Sequence, residues 1–342
     1  METGEWNFLI PPSDMEWTGP DLEEMSNPQV MSKQKDNKWS NHTLKVFVNT
    51  ASHPFDYAKV LIQLGYEPIA PRPATTFFGK PALKLPNIFE YVKHIKSVDG
   101  FTGLYRGLGP KICGNLLSAI VAQKCTDFLK ADDENSEYDE EDSEEQRQQK
   151  WLFLMKCDMI THTAAIVVSH PFYVITIRTM GQFVGKETKY TGIFGSIKEI
   201  YHQNGMFGFF SGLIPRLLGD LCSLLLAGSL TYAFNRYLVE DKELKVYISA
   251  TMNFISTAVM YPFQVVSTCM TVTNSGLAIG SPPHMPHYPS WVDCWIALNK
   301  TNQLKRGSSF LMRYYTGPHI RISGKLLPVN GDQTLYIAAE KS

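Results

Sequence analysis

The tetrapeptide Ser52-His53-Pro54-Phe55 returns as Ser169-His170-Pro171-Phe172, and a variant follows as Met260-Tyr261-Pro262-Phe263. Each copy lies in a mostly apolar stretch of helical length. Proline at such a place removes a backbone N–H and kinks a helix. A motif met three times in order therefore marks one kinked unit used three times, and that repeat fixes how the rest of the chain can be divided.

An amphipathic stretch follows each proline-bearing one. Ile88, Tyr91, Val92 and Ile95 fall at helical spacing in the first unit. Ile193, Ile197, Ile200 and Tyr201 do so in the second, and Trp291, Trp295 and Leu298 in the third. These are predicted to be helices lying at a membrane surface. A Gly-rich lead-in then opens a second apolar stretch. GFTGLYRGLGPK (100–111) aligns without gaps on GMFGFFSGLIPR (205–216). In the third unit the lead-in falls near Leu304 to Gly317, without the proline-basic pair, and nothing after it can span: Ile320 to Ser342 is too polar and too short.

Formal charge is −1 and mean hydropathy −0.15 over 342 residues. The average would suit a soluble protein, but the charge is unevenly spread. No Asp, Glu, Lys or Arg lies between Lys245 and Asp293, between Asp158 and Arg178, or between Asp220 and Arg236. A helix needs about 20 residues to cross a bilayer. Five spans are predicted, near Leu44–Leu64, Gly109–Leu129, Asp158–Val184, Leu213–Leu238 and Val246–Val272. Asn49, Gln123, Thr161, His162, Asn235 and Asn253 lie within them. Polar groups at membrane depth face a bundle or water, so the expectation is an all-α membrane protein with a wet interior. Its parts are a polar N-terminal tail (1–41), a first repeat (42–130), an acidic linker (131–150), a second repeat (151–240), a truncated third repeat (241–317) and a C-terminal tail (318–342). The linker contains DDENSEYDEEDSEE, a composition that reads as solvated and disordered.

Several function classes drop out. A near-neutral chain has no global field for nucleic acid. Seven acidic residues precede Lys33, the first basic one, so neither a secretory signal nor a transit peptide is expected. Without a signal, Asn41-His42-Thr43 and Asn299-Lys300-Thr301 read as chance glycosylation patterns. The six cysteines form no C-x-x-C pair, which argues against a disulfide framework or zinc. Gly107-Leu108-Gly109 lacks the G-K-[S/T] of a phosphate loop, G-x-S-x-G is absent, and His284-Met285-Pro286-His287 lacks a third metal ligand. Phe207, Phe209 and Phe210, just before a span, read as an interfacial aromatic belt.

This triplicate of kinked helix, surface helix and second helix resembles the mitochondrial carrier family. KVLIQLGYEP, SHPFYVITIRTM, GFFSGLIPRLLGD and MYPFQVVS look like its divergent outer-membrane branch, the carrier homologues. The resemblance covers roughly Leu44 to Tyr315. It implies a three-repeat helix bundle with a degenerate third repeat, about five membrane spans plus short surface helices, and a multi-pass place in the mitochondrial outer membrane. Carriers place Pro-x-[Asp/Glu]-x-x-[Lys/Arg] on each odd helix, and those charges pair between helices to close a gate. This chain keeps the pattern once, as Pro54-x-Asp56-x-x-Lys59; the same positions hold Tyr173 and Thr176, then Gln264 and Ser267. The resemblance therefore implies a lost gate. With no sixth helix, it also implies a slot between the first and fifth spans that opens a polar groove to lipid.

The branch's role is that of an insertase for tail-anchored and other α-helical membrane proteins, with a link to apoptosis as a docking site for truncated Bid. No enzyme activity, cofactor or nucleic-acid partner is implied. Membrane lipids are expected as partners, since such a groove would also let headgroups cross. The rivals are a solute carrier with a degenerate gate, and a lipid scramblase or apoptotic scaffold.

The candidate groove residues are Lys59, Asp56, Asp220, Arg216, Asn253 and Arg178, with Pro54, Pro171 and Pro262 as kinks. Asp56 and Lys59 share a helix face and can pair. They are either a self-neutralising pair at the kink, or Lys59 stands in a cavity. Asp220 lies within a span, five residues after Pro215, and an unpaired acid at the bilayer centre costs at least ~2.5 kcal/mol. It must pair, with Arg216 one turn earlier, or face water. Lys111, Arg178 and Lys124 also fit interfacial or snorkelling positions.

Overall fold

The computed structural model describes residues 28–75, 79, 81–130, 144–237, 242–315, 319–322 and 325–328. The chain divides into two compact units, 1–51 and 52–342. The described part of the first is helical, and Thr50 Oγ1 donates to Val46 O at 2.8 Å within it. The second holds the repeats.

Five helices are long: α1 (Pro28–Gln63), α3 (Leu108–Lys130), α4 (Glu144–Gly181), α6 (Leu213–Tyr237) and α7 (Lys242–Val272). Three are short: α2 (Ile88–Gly103), α5 (Gly192–Asn204) and α8 (Trp291–Lys300). Pro54, Pro171 and Pro262 each fall inside a long helix. Three stretches are long and apolar enough to cross a membrane: Glu145–Gly181, Met206–Arg236 and Tyr247–Val272. The other two expected spans fall in α1 and α3, which have the length but not the apolarity, because their polar residues lower it. The fold is that of an all-α, carrier-like membrane protein.

Some boundaries move. Residues 144–150 of the expected linker begin α4, where EEQRQQK continues the helix as its polar first turns. Residues 28–41 of the expected tail are helical in α1. The rest of the linker, residues 1–27 and most of the C-terminal tail lie outside the described residues.

The short helices do what their spacing predicts, with one exception. Asn87 caps α2 by accepting from Glu90 N at 2.8 Å, and Ile88, Tyr91 and Ile95 are buried. Ser290 caps α8, which buries Leu298 and half-buries Trp291 and Trp295. In α5 the buried residues are Ser196 and Ile200, while Ile197 and Tyr201 are exposed. Ser196 occupies the face because its hydroxyl returns to Gly192 O at 2.6 Å, which leaves no unpaired polar group. Phe209 is buried in the core, so only Phe207 and Phe210 keep an exposed, belt-like position.

A threefold bond ties the units together. The residue before each kink proline reaches the carbonyl just ahead of a lead-in glycine. His53 Nε2 meets Arg106 O at 3.0 Å, His170 Nε2 meets Ser211 O at 3.0 Å, and Tyr261 Oη donates to Arg306 O at 3.1 Å. The three glycines that follow, Gly107, Gly212 and Gly307, have φ of 83°, 78° and 78°. Each lies against the next odd helix in a cyclic order: Gly107 against Thr176 of α4, Gly212 against Ser267 of α7, and Gly307 against Ile62 and Gln63 of α1. The third lead-in is thus built as far as Gly307. At Gly212 an added Cβ would stand 2.5 Å from Ser267 O, whereas at Gly100 (φ 74°) it meets nothing within 4 Å. Gly212→Ala should therefore cost clearly more than Gly100→Ala, which pays only the roughly 1–3 kcal/mol of holding an alanine at φ 74°, ψ −173°, a conformation essentially reserved for glycine. Thermal melts of the two variants in detergent check the difference.

Beyond Gly307 the third unit departs from the others. The positions of Pro110-Lys111 and Pro215-Arg216 hold Phe310-Leu311, and an extended strap replaces the helix. Ile88 N donates to Phe310 O (3.0 Å), Leu85 N to Arg313 O (2.8 Å) and Tyr315 N to Leu83 O (2.8 Å). The Arg313 guanidinium holds Pro86 O at 2.9 Å and also pairs with Glu67. Burial pushes the Glu67 carboxyl above the usual carboxylate range, and Arg313 opposes that shift. Two small antiparallel hairpins, β1 (Arg72–Thr75) with β2 (Pro81–Lys84) and β3 (His319–Ile322) with β4 (Lys325–Pro328), were not expected from the sequence.

Candidate functional site

A cavity of about 450 Å³ lies among the long helices, lined by residues of all five. Asp56, Lys59, Lys111, Arg216 and Asp220 all line it. Asp56 does not pair with Lys59. Lys111 Nζ, on α3, reaches across to Asp56 Oδ2 on α1 at 2.6 Å. Lys111 is therefore a cavity residue rather than an interfacial one. Lys59 instead stands over two rings, 5.3 Å from the Tyr261 centroid and 5.7 Å from that of Phe310. An ammonium is attracted to such ring faces, so Lys59 is held at the cavity wall by aromatic rings rather than by a close ion pair.

The second unit repeats the arrangement with different chemistry. Arg216 occupies the position of Lys111, and Tyr173 that of Asp56. The guanidinium lies 4.2 Å from the Tyr173 centroid, and Arg216 Nε lies 3.8 Å from Asp220 Oδ2. Arg216 Nη1 donates to His170 Nδ1 at 3.3 Å, which leaves Nε2–H of that ring to donate to Ser211 O. The pairing expected of Asp220 is present, and it comes from its own helix one turn back.

At the end of the cavity nearest the short helices, uncharged groups join the odd helices. Gln63 Nε2 donates to Tyr261 Oη (2.9 Å), Thr268 Oγ1 donates to Gln63 Oε1 (3.2 Å), and Tyr173 Oη bonds Thr268 Oγ1 (3.2 Å). Arg306 adds a clasp: Nε donates to Gln63 O at 2.5 Å, and Nη2 lies 3.0 Å from Cys269 Sγ. The slot between the first and fifth spans is closed here by α1, α7 and the strap. Arg306→Ala leaves the buried Gln63 carbonyl short of a donor. It should destabilise the protein by about 1–3 kcal/mol, seen as an earlier thermal transition in detergent.

Further along, α7 is poorly covered. From Ala250 to Val259 only Met252 and Ser256 are buried, and Phe254 is 75% exposed. Asn253 belongs to this stretch and does not line the cavity of Lys59. It lines a second one, of about 830 Å³, formed by the first half of α4, the second half of α6 and the start of α7. Asp158 and His162 line that cavity too, and both are exposed although they lie in a helix apolar enough to cross a membrane. His162 is within electrostatic reach of Asp220, which lines the first cavity. Sequence reading named His162 only as a polar residue in a span and gave Asp158 no role. Their i,i+4 spacing was the signal that could have found them.

Arg178 lies in neither cavity, nor at an interface. Its side chain is fully buried, with Nε donating to Thr271 O (3.0 Å) and Nη1 to Asn204 Oδ1 (3.0 Å) and Tyr190 Oη (3.4 Å). It joins α4, α5 and α7, and burial pushes the Tyr190 phenol up. Among the described residues no group of three or more His, Cys, Asp or Glu could hold a metal ion.

The family model described as mitochondrial carrier protein matches residues 43–131 and 149–242, which hold the first two repeats. The chain belongs to the mitochondrial carrier family. Within that family it is similar to mitochondrial carrier homolog 2 of Mus musculus, 42% identical over 270 residues, covering 77% of this chain and 89% of that protein. The Homo sapiens homolog 2 is 41% identical over the same shares. Mitochondrial carrier homolog 1 of Mus musculus is 36% identical over 288 residues, covering 78% and 74%. Family membership and the apolar helices make this a mitochondrial membrane protein.

Proposed function

We propose that this carrier homologue is a non-enzymatic insertase of the mitochondrial outer membrane, acting on tail-anchored and other α-helical membrane proteins. The observation that carries the reading is the bare flank of α7 beside charged cavities. The third repeat ends at Gly307 in a strap instead of a sixth helix, and Asp158, His162 and Asn253 stand exposed within apolar helices. A charge at the bilayer centre costs at least ~2.5 kcal/mol. Such a polar file lowers that cost for the short hydrophilic end of a client while its apolar segment moves sideways into lipid. The gate needed for alternating access is reduced to uncharged groups in two of three repeats, which disfavours solute transport. The same face fits an apoptotic membrane protein such as truncated Bid as a further client or docking partner.

Purified protein in liposomes tests this directly. It should insert a tail-anchored client to a protease-protected form, well above empty liposomes. Saturable solute uptake with no gain in insertion would overturn the reading.

A further inference from the structure

Two of the six free cysteines meet in the third repeat. Cys269 lies in α7, one turn before that helix ends, and Cys294 lies in the first turn of α8. Both are fully buried in one cluster, and their thiols share a hydrogen bond. Cys269 stands seven residues after its kink proline, where the other repeats hold Leu61 and Arg178. The pair therefore belongs to the third repeat alone. It sits at the edge of the apolar stretch Tyr247–Val272 rather than in its middle.

Cys269 is not in apolar surroundings. Arg306 Nη2 lies 3.0 Å from its Sγ, and the thiol donates to Gln63 O at 3.6 Å. A cation against a sulfur is the setting of reactive cysteines, whereas apolar surroundings make a buried thiol inert. The Arg306 guanidinium is half-buried and also covers Gly65, where an added Cβ would meet Nη1 at 2.6 Å. A swing of this one side chain is a local opening far smaller than unfolding.

We propose that Cys269 and Cys294 are an oxidisable dithiol, closed to a disulfide by hydroperoxides that enter as Arg306 swings aside. The Cys269 sulfur attacks a peroxide oxygen and becomes a sulfenic acid, S–OH. The hydroxide that leaves takes the thiol proton and departs as water. The Cys294 sulfur then attacks the sulfenic sulfur, the S–S bond forms, and the oxygen leaves as a second water with the Cys294 proton. The two thiols lose two electrons, which reduce hydrogen peroxide to water. The new bond ties α7 to α8 and takes the Cys269 thiol from Arg306. None of this depends on insertase activity.

Trypsin cuts after Lys245 and Lys300 and nowhere between, so both cysteines fall in one peptide. The test exposes the full chain in detergent to hydrogen peroxide, alkylates with N-ethylmaleimide, digests it and weighs that peptide. It should lose both maleimides and two hydrogens before Cys113, Cys125, Cys157 or Cys222 loses its adduct. Chymotryptic cleavage after Trp291 should leave the two halves joined until dithiothreitol is added. The bond should form at least about tenfold more slowly in urea, because the fold supplies the proximity. Cys294→Ser should leave Cys269 as a sulfenic acid that dimedone traps, while Cys269→Ser leaves Cys294 unlabelled. Both thiols still alkylated after peroxide, oxidation confined to the other four cysteines, or equal rates in urea would each overturn the proposal. A dimedone adduct on Cys294 in place of Cys269 would overturn it as well.

Discussion

Lys59→Glu should lower insertion of clients with acidic tails by about tenfold, the equivalent of about 1.4 kcal/mol, while leaving the protein's abundance little changed. The first cavity carries Lys59, Lys111 and Arg216 against Asp56 and Asp220, a net charge of +1 (three minus two). Reversing Lys59 makes it −1 (two minus three). A client tail entering a site of low dielectric feels that change much more strongly than it would in water. The fold should tolerate the reversal, because Lys59 lacks a close ion pair: it loses its ring contacts, about 0.5–1 kcal/mol each, and exchanges a longer-range attraction to Asp56 for a like-charge neighbour, a few tenths of a kcal/mol more. Clients with basic tails should be spared or improved. Insertion assays with matched acidic and basic tails read the effect as a ratio, which is insensitive to reconstitution yield. Equal loss for both tails would point to damage rather than electrostatics.

Arg178→Met should have the largest effect on stability and none specific to the client. The arginine is fully buried and satisfies Thr271 O, Asn204 Oδ1 and Tyr190 Oη at once. Removing it leaves the buried Thr271 O and the half-buried Asn204 Oδ1 without that donor, at about 1–3 kcal/mol apiece, while Tyr190 Oη keeps Ser275 O and Gln203 Oε1. The summed loss should lower the thermal midpoint in detergent by roughly 5–10 °C. Arg178→Lys should recover little, because one ammonium cannot span acceptors on α7, on α5 and in the loop before α5. An unchanged midpoint in Arg178→Met would remove Arg178 from the structural core.

The kinked helices, the surface helices and the repeat order were legible because periodicity and proline act locally. Ile88, Tyr91 and Ile95 announced the buried face of α2, and the matched lead-ins announced Gly107 and Gly212. What could not be read were partner choices made across helices. Asp56 has Lys59 one turn away yet meets Lys111 on α3, 55 residues on in sequence. Arg178 looked like a snorkelling cation beside an apolar run, and only tertiary packing brings Thr271 and Asn204 to it. Tyr261 replaces a histidine but reaches the equivalent carbonyl, Arg306 O, through its hydroxyl. That substitution concealed the bond to the third lead-in, which is built as far as Gly307. Asn253 sits on a span like the other groove residues, but helix register assigns it to a separate cavity.

Site-specific photo-crosslinking of a client arrested during insertion tests the uncovered flank of α7 most directly. Probes at Asn253 and Thr257 should capture the client's apolar segment, and a probe at the buried Val265 of the same helix should not. Efficient insertion with no adduct at Asn253 or Thr257, and with adducts at Ile120 or Phe128 on the outer side of α3 instead, would contradict the account.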